Sequence, residues 1–138
     1  MSDFTILGHT ADVMFQAEGA TLDQAFANAG RATFACMADL DDIPAEQSVD
    51  FRVSASDLGS LLYDFIDQLI YLRDVNNMLY SEFDVEIDET DDGYQLQATA
   101  HGRDIGDIDA VDVKAVTYSD MEIEQRDDGW HIQVVLDV

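Results

Sequence analysis

Lysine is nearly absent from this chain of 138 residues. Lys114 is the only one, and the basic side chains total 6 against 30 acidic ones, a formal net charge of −24. A few scattered cations cannot form the basic patch on which autonomous nucleic-acid binding depends, so no stable direct binding to a phosphate backbone is expected. Cysteine occurs once, at Cys36, which leaves no internal disulfide framework and no cysteine zinc site. Proline also occurs once, at Pro44, and no Gly/Ser-rich linker, low-complexity tract or internal repeat breaks the pattern. Residues 1–138 therefore read as a single domain. No apolar run approaches the ~18 residues of a membrane span, so no membrane association is expected. The opening stretch from Met1 to Asp12 lacks a basic and then an apolar segment, so no secretory leader is expected and the cytoplasm is the predicted location.

What is present argues for a packed core. Hydrophobic residues make up 47% and aromatic residues 9% of the chain, the composition of a globular protein in spite of its acidity. The acidic residues are mostly aspartate and are spread over the whole length. That surface suits a high-salt cytoplasm, where the Debye length falls to about 3 Å and carboxylate repulsion is screened. Acidic mimicry of nucleic acid is the rival reading. Either way, most carboxylates here serve solvation, and none marks a site merely by being acidic.

Two helices stand out. The first opens on Thr21-Leu22-Asp23-Gln24, a capping box. Leu22, Ala25, Phe26, Ala29, Thr33, Cys36 and Met37 then recur at helical spacing, predicting an end near Ala38, ahead of the acidic loop containing Pro44. The second is predicted to start after Ser56 as N-cap, with Asp57 in its first turn, and to run to about Asp74 along the stripe Leu58, Leu61, Leu62, Phe65, Ile66, Leu69 and Leu72. Elsewhere apolar and polar residues alternate, as in Val13–Ala17, Val49–Ala55, Glu82–Asp88, Tyr94–Ala100, Met121–Ile123 and Trp130–Leu136. Asp92-Gly93 and Asp128-Gly129 read as hairpin turns requiring positive φ. The predicted fold class is α+β, a two-layer sandwich of mainly antiparallel sheet covered by two helices.

Several signatures fail. Asp88–Gly93 begins like a calcium-binding loop, but Thr99 stands where its bidentate Glu belongs and no helices flank it. Gly102–Gly106 is neither a P-loop nor a dinucleotide fingerprint. Cys36 lies on an apolar helix stripe, where inert packing is expected. No Gly-x-Ser-x-Gly or His-Glu-x-x-His occurs, so an autonomous hydrolase is not visible. Three segments remain: His9-Thr10-Ala11-Asp12 at a strand entry, Lys114-Ala115-Val116-Thr117-Tyr118 with the sole lysine, and Leu136-Asp137-Val138. By alternation Asp137 points away from the apolar face of its strand. Plain structural roles are open to each: Asp12 as a turn residue, Lys114 as an ion-pair partner of Asp112, Asp137 as one more solvated acid.

Together these segments resemble the archease family. The resemblance runs through Gly8-His9-Thr10-Ala11-Asp12-Val13, Gly19–Phe26, Leu61–Ile66, Val113–Tyr118 and Val135-Leu136-Asp137-Val138, nearly the full chain. It implies an α+β accessory protein of tRNA splicing that is not itself an enzyme. Such a protein activates the GTP-dependent ligase that joins tRNA exon halves through 2′,3′-cyclic-phosphate or 3′-phosphate ends, promoting ligase guanylylation and multiple turnover. A divalent-metal site is implied at Asp12, Asp137 and Val138, with Ca²⁺ as the ion and Mg²⁺ or Mn²⁺ as alternatives. These are hard oxygen donors of the kind such cations take. Lys114 falls on the family's lysine and is implied to contact the ligase or its phosphates, with His9 beside the metal site or on the partner. The alternative role is a chaperone-like modulator of RNA-modifying enzymes such as a tRNA methyltransferase.

The charge generates a first prediction. Dilution from molar to roughly 0.1 M KCl should lower the melting temperature, because carboxylate repulsion is then unscreened over a Debye length of about 10 Å. A melting temperature that holds level or rises on dilution contradicts the high-salt reading.

Overall fold

A computed structural model describes residues 3–8 and 12–138. Seven strands and two helices follow one another as β1 (Phe4–Gly8), β2 (Asp12–Gly19), α1 (Leu22–Ala35), β3 (Gln47–Ala55), α2 (Leu58–Asn76), β4 (Met78–Thr90), β5 (Gly93–Asp104), β6 (Ala115–Arg126) and β7 (Gly129–Asp137), with a short 3₁₀ turn at Leu40–Asp42. The fold class is the expected one: two helices packed on antiparallel sheet. The sheet is divided in two, a four-stranded one ordered β1-β2-β7-β6 and a three-stranded one ordered β3-β5-β4. Every pairing is antiparallel.

The helices tie the two sheets together. α1 lies on β2 and β4, and α2 lies on β6 and β3, so each helix touches a strand of both sheets. Alternation decides which side of each strand meets them. Phe15 and Ala17 of β2, Leu96, Ala98 and Ala100 of β5, and Ile132, Val134 and Leu136 of β7 are buried in one cluster with Phe26 and Phe34 of α1 and Leu62 and Phe65 of α2. The opposite faces carry the acids; Glu82, Asp84, Glu86 and Asp88 of β4 are all exposed. Phe65 is central, with ring contacts to Phe26, Phe51 and Phe83 at centroid distances of 5.8, 5.9 and 6.4 Å.

Helix ends differ from the sequence reading in instructive ways. Thr21 caps α1 as predicted, accepting from the Gln24 N–H at 3.2 Å, while Gln24 Oε1 accepts from the Ala20 N–H at 3.1 Å. The regular helix stops at Ala35, although the Ala38 N–H still bonds the Phe34 carbonyl at 3.0 Å, so the winding persists to the predicted boundary. For α2 the cap is Asp57, not Ser56: Asp57 Oδ1 accepts the Ser60 N–H at 2.8 Å. That bond holds the Asp57 carboxyl below its ordinary pKa. A carboxylate at this position both satisfies a free N–H and faces the positive end of the helix dipole. α2 runs two residues past Asp74 and closes on Asn77, which takes the left-handed conformation at φ 55°.

The β4–β5 and β6–β7 hairpins form where expected, which removes the calcium-loop reading of Asp88–Gly93. Their two-residue loops are Asp91-Asp92 and Asp127-Asp128, and positive φ falls on the glycine that follows each, Gly93 and Gly129. A strand that the sequence reading missed, β1, pairs with β2 from Phe4↔Ala17 to Gly8↔Val13. Gly102 has a strict packing requirement, because a Cβ there would lie 1.8 Å from the Leu79 carbonyl oxygen. Phe65→Ala should cost about 3–5 kcal/mol in denaturant unfolding, the sum of lost burial and a cavity among the three remaining rings. A loss below about 1 kcal/mol would mean that the core collapses to fill the space.

Candidate functional site

The pairing of β2 with β7 sets the site. These strands lie almost a chain length apart, yet they pair over eight residues, from Asp12↔Asp137 to Gly19↔Trp130. Directly opposite residues in an antiparallel pair share a face, with Cβ atoms about 4.5–5.5 Å apart. Asp12 and Asp137 are therefore neighbours on the face turned away from Phe15, Ile132, Val134 and Leu136, and Asp137 is exposed. β6 completes the edge: Ala115 pairs with Asp137, and the Lys114 N–H donates to the Asp137 carbonyl at 2.8 Å. Three of the sequence candidates, Asp12, Asp137 and Lys114, thus converge at one end of the four-stranded sheet. Val138 follows Asp137, packed against the core. His9 lies outside the described residues.

Lys114 is positioned by its neighbours rather than by its own charge. Val113 is buried at 1% exposure, the Val111 N–H bonds the Met37 carbonyl at 2.7 Å, and Asp112 is bonded to Arg73 of α2. The Asp112 partner proposed for Lys114 is therefore taken by an arginine. Among the described residues the Lys114 ammonium has no carboxylate within ion-pair distance, although the chain carries a net charge of −24. The five arginines are engaged with polar side chains of their own surface. Arg31 pairs with Asp3, Arg73 with Asp74 and Asp112, Arg103 with Asp107 and Arg126 with Glu124, while Arg52 reaches the Gln97 amide oxygen at 2.8–2.9 Å.

The donor set at Asp12 and Asp137 fits a hard divalent cation. Two aspartates stand opposite each other in the register, and their carboxylates are hard oxygen donors. Among the described residues no third Asp, Glu, His or Cys side chain groups with the pair. The opposite end of the same ladder holds a cluster that sequence reasoning missed. His131 Nε2 lies 2.8 Å from Asp128 Oδ1, and His131 Nδ1 lies 3.5 Å from Glu18 Oε2. The register Glu18↔His131 brings it together, which periodicity alone could not reveal. The two carboxylates meet different ring nitrogens, an arrangement that suits bridging by the imidazole better than shared ligation of one ion. Cys36 behaves as its apolar stripe suggested: burial pushes its thiol up to about 12, leaving it unreactive.

The geometry defines a two-helix α+β domain that brings Asp12, Asp137 and Lys114 to one end of its four-stranded sheet. Comparison with known proteins makes the class specific. Residues 4–138 match the model of the Archease protein family (MTH1598/TM1083). The protein archease of Methanothermobacter thermautotrophicus is 39% identical over 140 aligned positions covering 100% of both chains, and that of Pyrococcus furiosus is 36% identical over 82% of each. The solution structure of protein 1598 of Methanobacterium thermoautotrophicum superposes with a TM-score of 0.89 at 38% identity over the full length of both chains. A crystal structure from Thermotoga maritima, described as an archease and possible chaperone, shares the fold at TM-score 0.61 and 16% identity. The chain belongs to the archease family.

The hairpin cluster gives a pH prediction. The hydrogen bond from His131 holds the Asp128 carboxyl below its ordinary value of 3.8. A depressed folded pKa contributes stability above the unfolded pKa and loses it as pH falls through the folded one. Asp128→Asn should thus lower stability at neutral pH and flatten its decline below about pH 4. An acid limb identical to that of the parent protein would show that the His131 contact contributes nothing.

Proposed function

We propose that this protein is a non-enzymatic activator of a GTP-dependent tRNA-splicing ligase, one that joins 2′,3′-cyclic-phosphate or 3′-phosphate ends, and that it promotes guanylylation and repeated turnover of that enzyme. Membership of the archease family supports the partner class. The observation that carries the reading is the Asp12↔Asp137 pairing with the Lys114 N–H on the Asp137 carbonyl. Asp12, Asp137 and a main-chain oxygen of Val138 would hold the divalent ion, Ca²⁺ first and Mg²⁺ or Mn²⁺ as alternatives. When bound, it supplies concentrated positive charge at the sheet end, where the carboxylates alone would repel a phosphate. Lys114 adds a compact ammonium aimed at the same partner, with no carboxylate of the described residues competing for it. Val113 and the Arg73–Asp112 bond hold the Lys114 backbone at the strand end. In this reading the covalent chemistry belongs to the ligase, and this chain assists it.

Reconstitution with the ligase from the same source, GTP and a divalent ion in molar KCl tests the proposal through multiple-turnover ligation. Asp12→Asn and Asp137→Asn should each remove most of the metal-dependent gain, and the double variant should be little worse, because paired ligands act as a unit. Lys114→Ala should keep the fold and reduce activation. Glu86→Gln is the charge control: Glu86 is exposed on β4, in the other sheet, whereas Asp84 is bonded to His101 and would disturb more than charge. If Glu86→Gln weakens activation as much as Asp12→Asn does, the effect is generic electrostatics. If ligation does not respond to the protein but light scattering shows suppressed aggregation of a tRNA methyltransferase, the chaperone-like role takes its place.

A further inference from the structure

Tyr118 sits where β6 leaves its ladder. Pairing with β7 is regular at Thr117↔Val135 and resumes at Glu122↔Gln133, so residues 118–121 are set against Val134 alone. Asp120 takes the left-handed conformation at φ 55°, and its carbonyl accepts from Gln133 Nε2 at 2.9 Å. Such bulges re-aim side chains. Here the result is a tyrosine ring laid flat on Tyr63 of α2, with centroids 4.2 Å apart and planes 11° from parallel. Tyr63 packs against the core, whereas Tyr118 remains 56% exposed and uses only one ring face. Beside the ring a cleft of about 430 Å³ opens between the first turn of α2 and β6, lined by Asp57, Leu58, Ser60, Met121 and Ile123.

The charge around this ledge has one sign. Asp57 lines the cleft, Asp64 and Asp67 follow Tyr63 on α2, Asp120 lies within the bulge and Glu122 follows it. No lysine or arginine occurs within residues 57–72 or 115–125. Partial burial, and after it the neighbouring Asp67 charge, hold the Asp64 carboxyl above its ordinary value. A second copy of a chain with a charge of −24 is repelled from such a surface, and so is a phosphate. A guanidinium has the matching properties. It is planar and weakly hydrated, stacks on an aromatic face, and donates in its own plane to carboxylates alongside.

We propose that the Tyr118–Tyr63 ledge is a docking site for an arginine-bearing segment of a protein partner, with the guanidinium stacked on the outer face of Tyr118. The site is some four residues along β6 from Lys114, about 13 Å, and stands independently of the metal reading.

The probe is a short acetylated peptide carrying two arginines, with lysine and citrulline versions, titrated into the full chain and followed by aromatic-ring NMR shifts at one fixed KCl concentration. The arginine peptide should shift the Tyr118 and Tyr63 rings saturably. The lysine peptide should bind about fivefold more weakly, and the citrulline peptide should not bind. Tyr118→Phe should retain binding, since the ring face and not the hydroxyl is used, while Tyr118→Ala should weaken it about fivefold. Equal binding of arginine and lysine peptides with no loss in Tyr118→Ala would be undirected charge attraction and would overturn the proposal. Saturable shifts centred away from the two rings would overturn it as well. So would a change of oligomeric state on Tyr118→Ala, measured by light scattering, because a second copy would then occupy the ledge.

Discussion

The antiparallel pairing of β2 with β7 is the constraint on which the rest depends. It joins the two ends of the chain along eight residues and places β7 between β2 and β6 in the four-stranded sheet. Its inner face gives the core Phe15, Ala17, Ile132, Val134 and Leu136; its outer face gives the surface Asp12, Gln16, Glu18, His131, Gln133 and Asp137. The two ends of this outer face are polar in different ways. One presents facing aspartates with Lys114 beside them, the other an imidazole between two carboxylates. They are separated by six residues of strand, about 20 Å, and a single ligand cannot span both.

A core able to carry such a charged exterior must be complete, and it is. α1 and α2 each cross from one sheet to the other, and the aromatic cluster around Phe65 fills the space between them. The surface then distributes its few cations with economy. The arginines are held by side chains of their own surface, which leaves Lys114 as the basic group available to a partner among the described residues. The acids of the strands lie on their outer faces, outside the buried cluster that the two helices close.

The helices and most strands were legible because their residues alternate or recur with the period that the secondary structure imposes. β1 was not, since Ile6 and Leu7 are both exposed on a five-residue edge strand and show no alternation. The N-cap of α2 was placed one residue early because Ser56 and Asp57 are both good caps; the Asp57–Ser60 bond decides between them. Partition into two sheets depends on which strands pair, and local pattern carries no information about that. The same limit separates the two polar ends of β2–β7. Asp12, Asp137 and Lys114 were found through family motifs, whereas Glu18, Asp128 and His131 are ordinary surface residues until register brings them together. Asp112 looked like the natural partner for Lys114 by proximity in sequence, but Arg73 reaches it from α2.

The central claim is that the two chain ends form one cation site, and paramagnetic broadening by Mn²⁺ reads it directly. In a titration of the full chain in molar KCl, amide signals of residues 12–14, 114–117 and 135–138 should broaden first. Asp12→Asn and Asp137→Asn should each abolish that pattern. Broadening that starts instead at Glu18, Asp128 and His131, or spreads evenly over the acidic surface, would contradict the account.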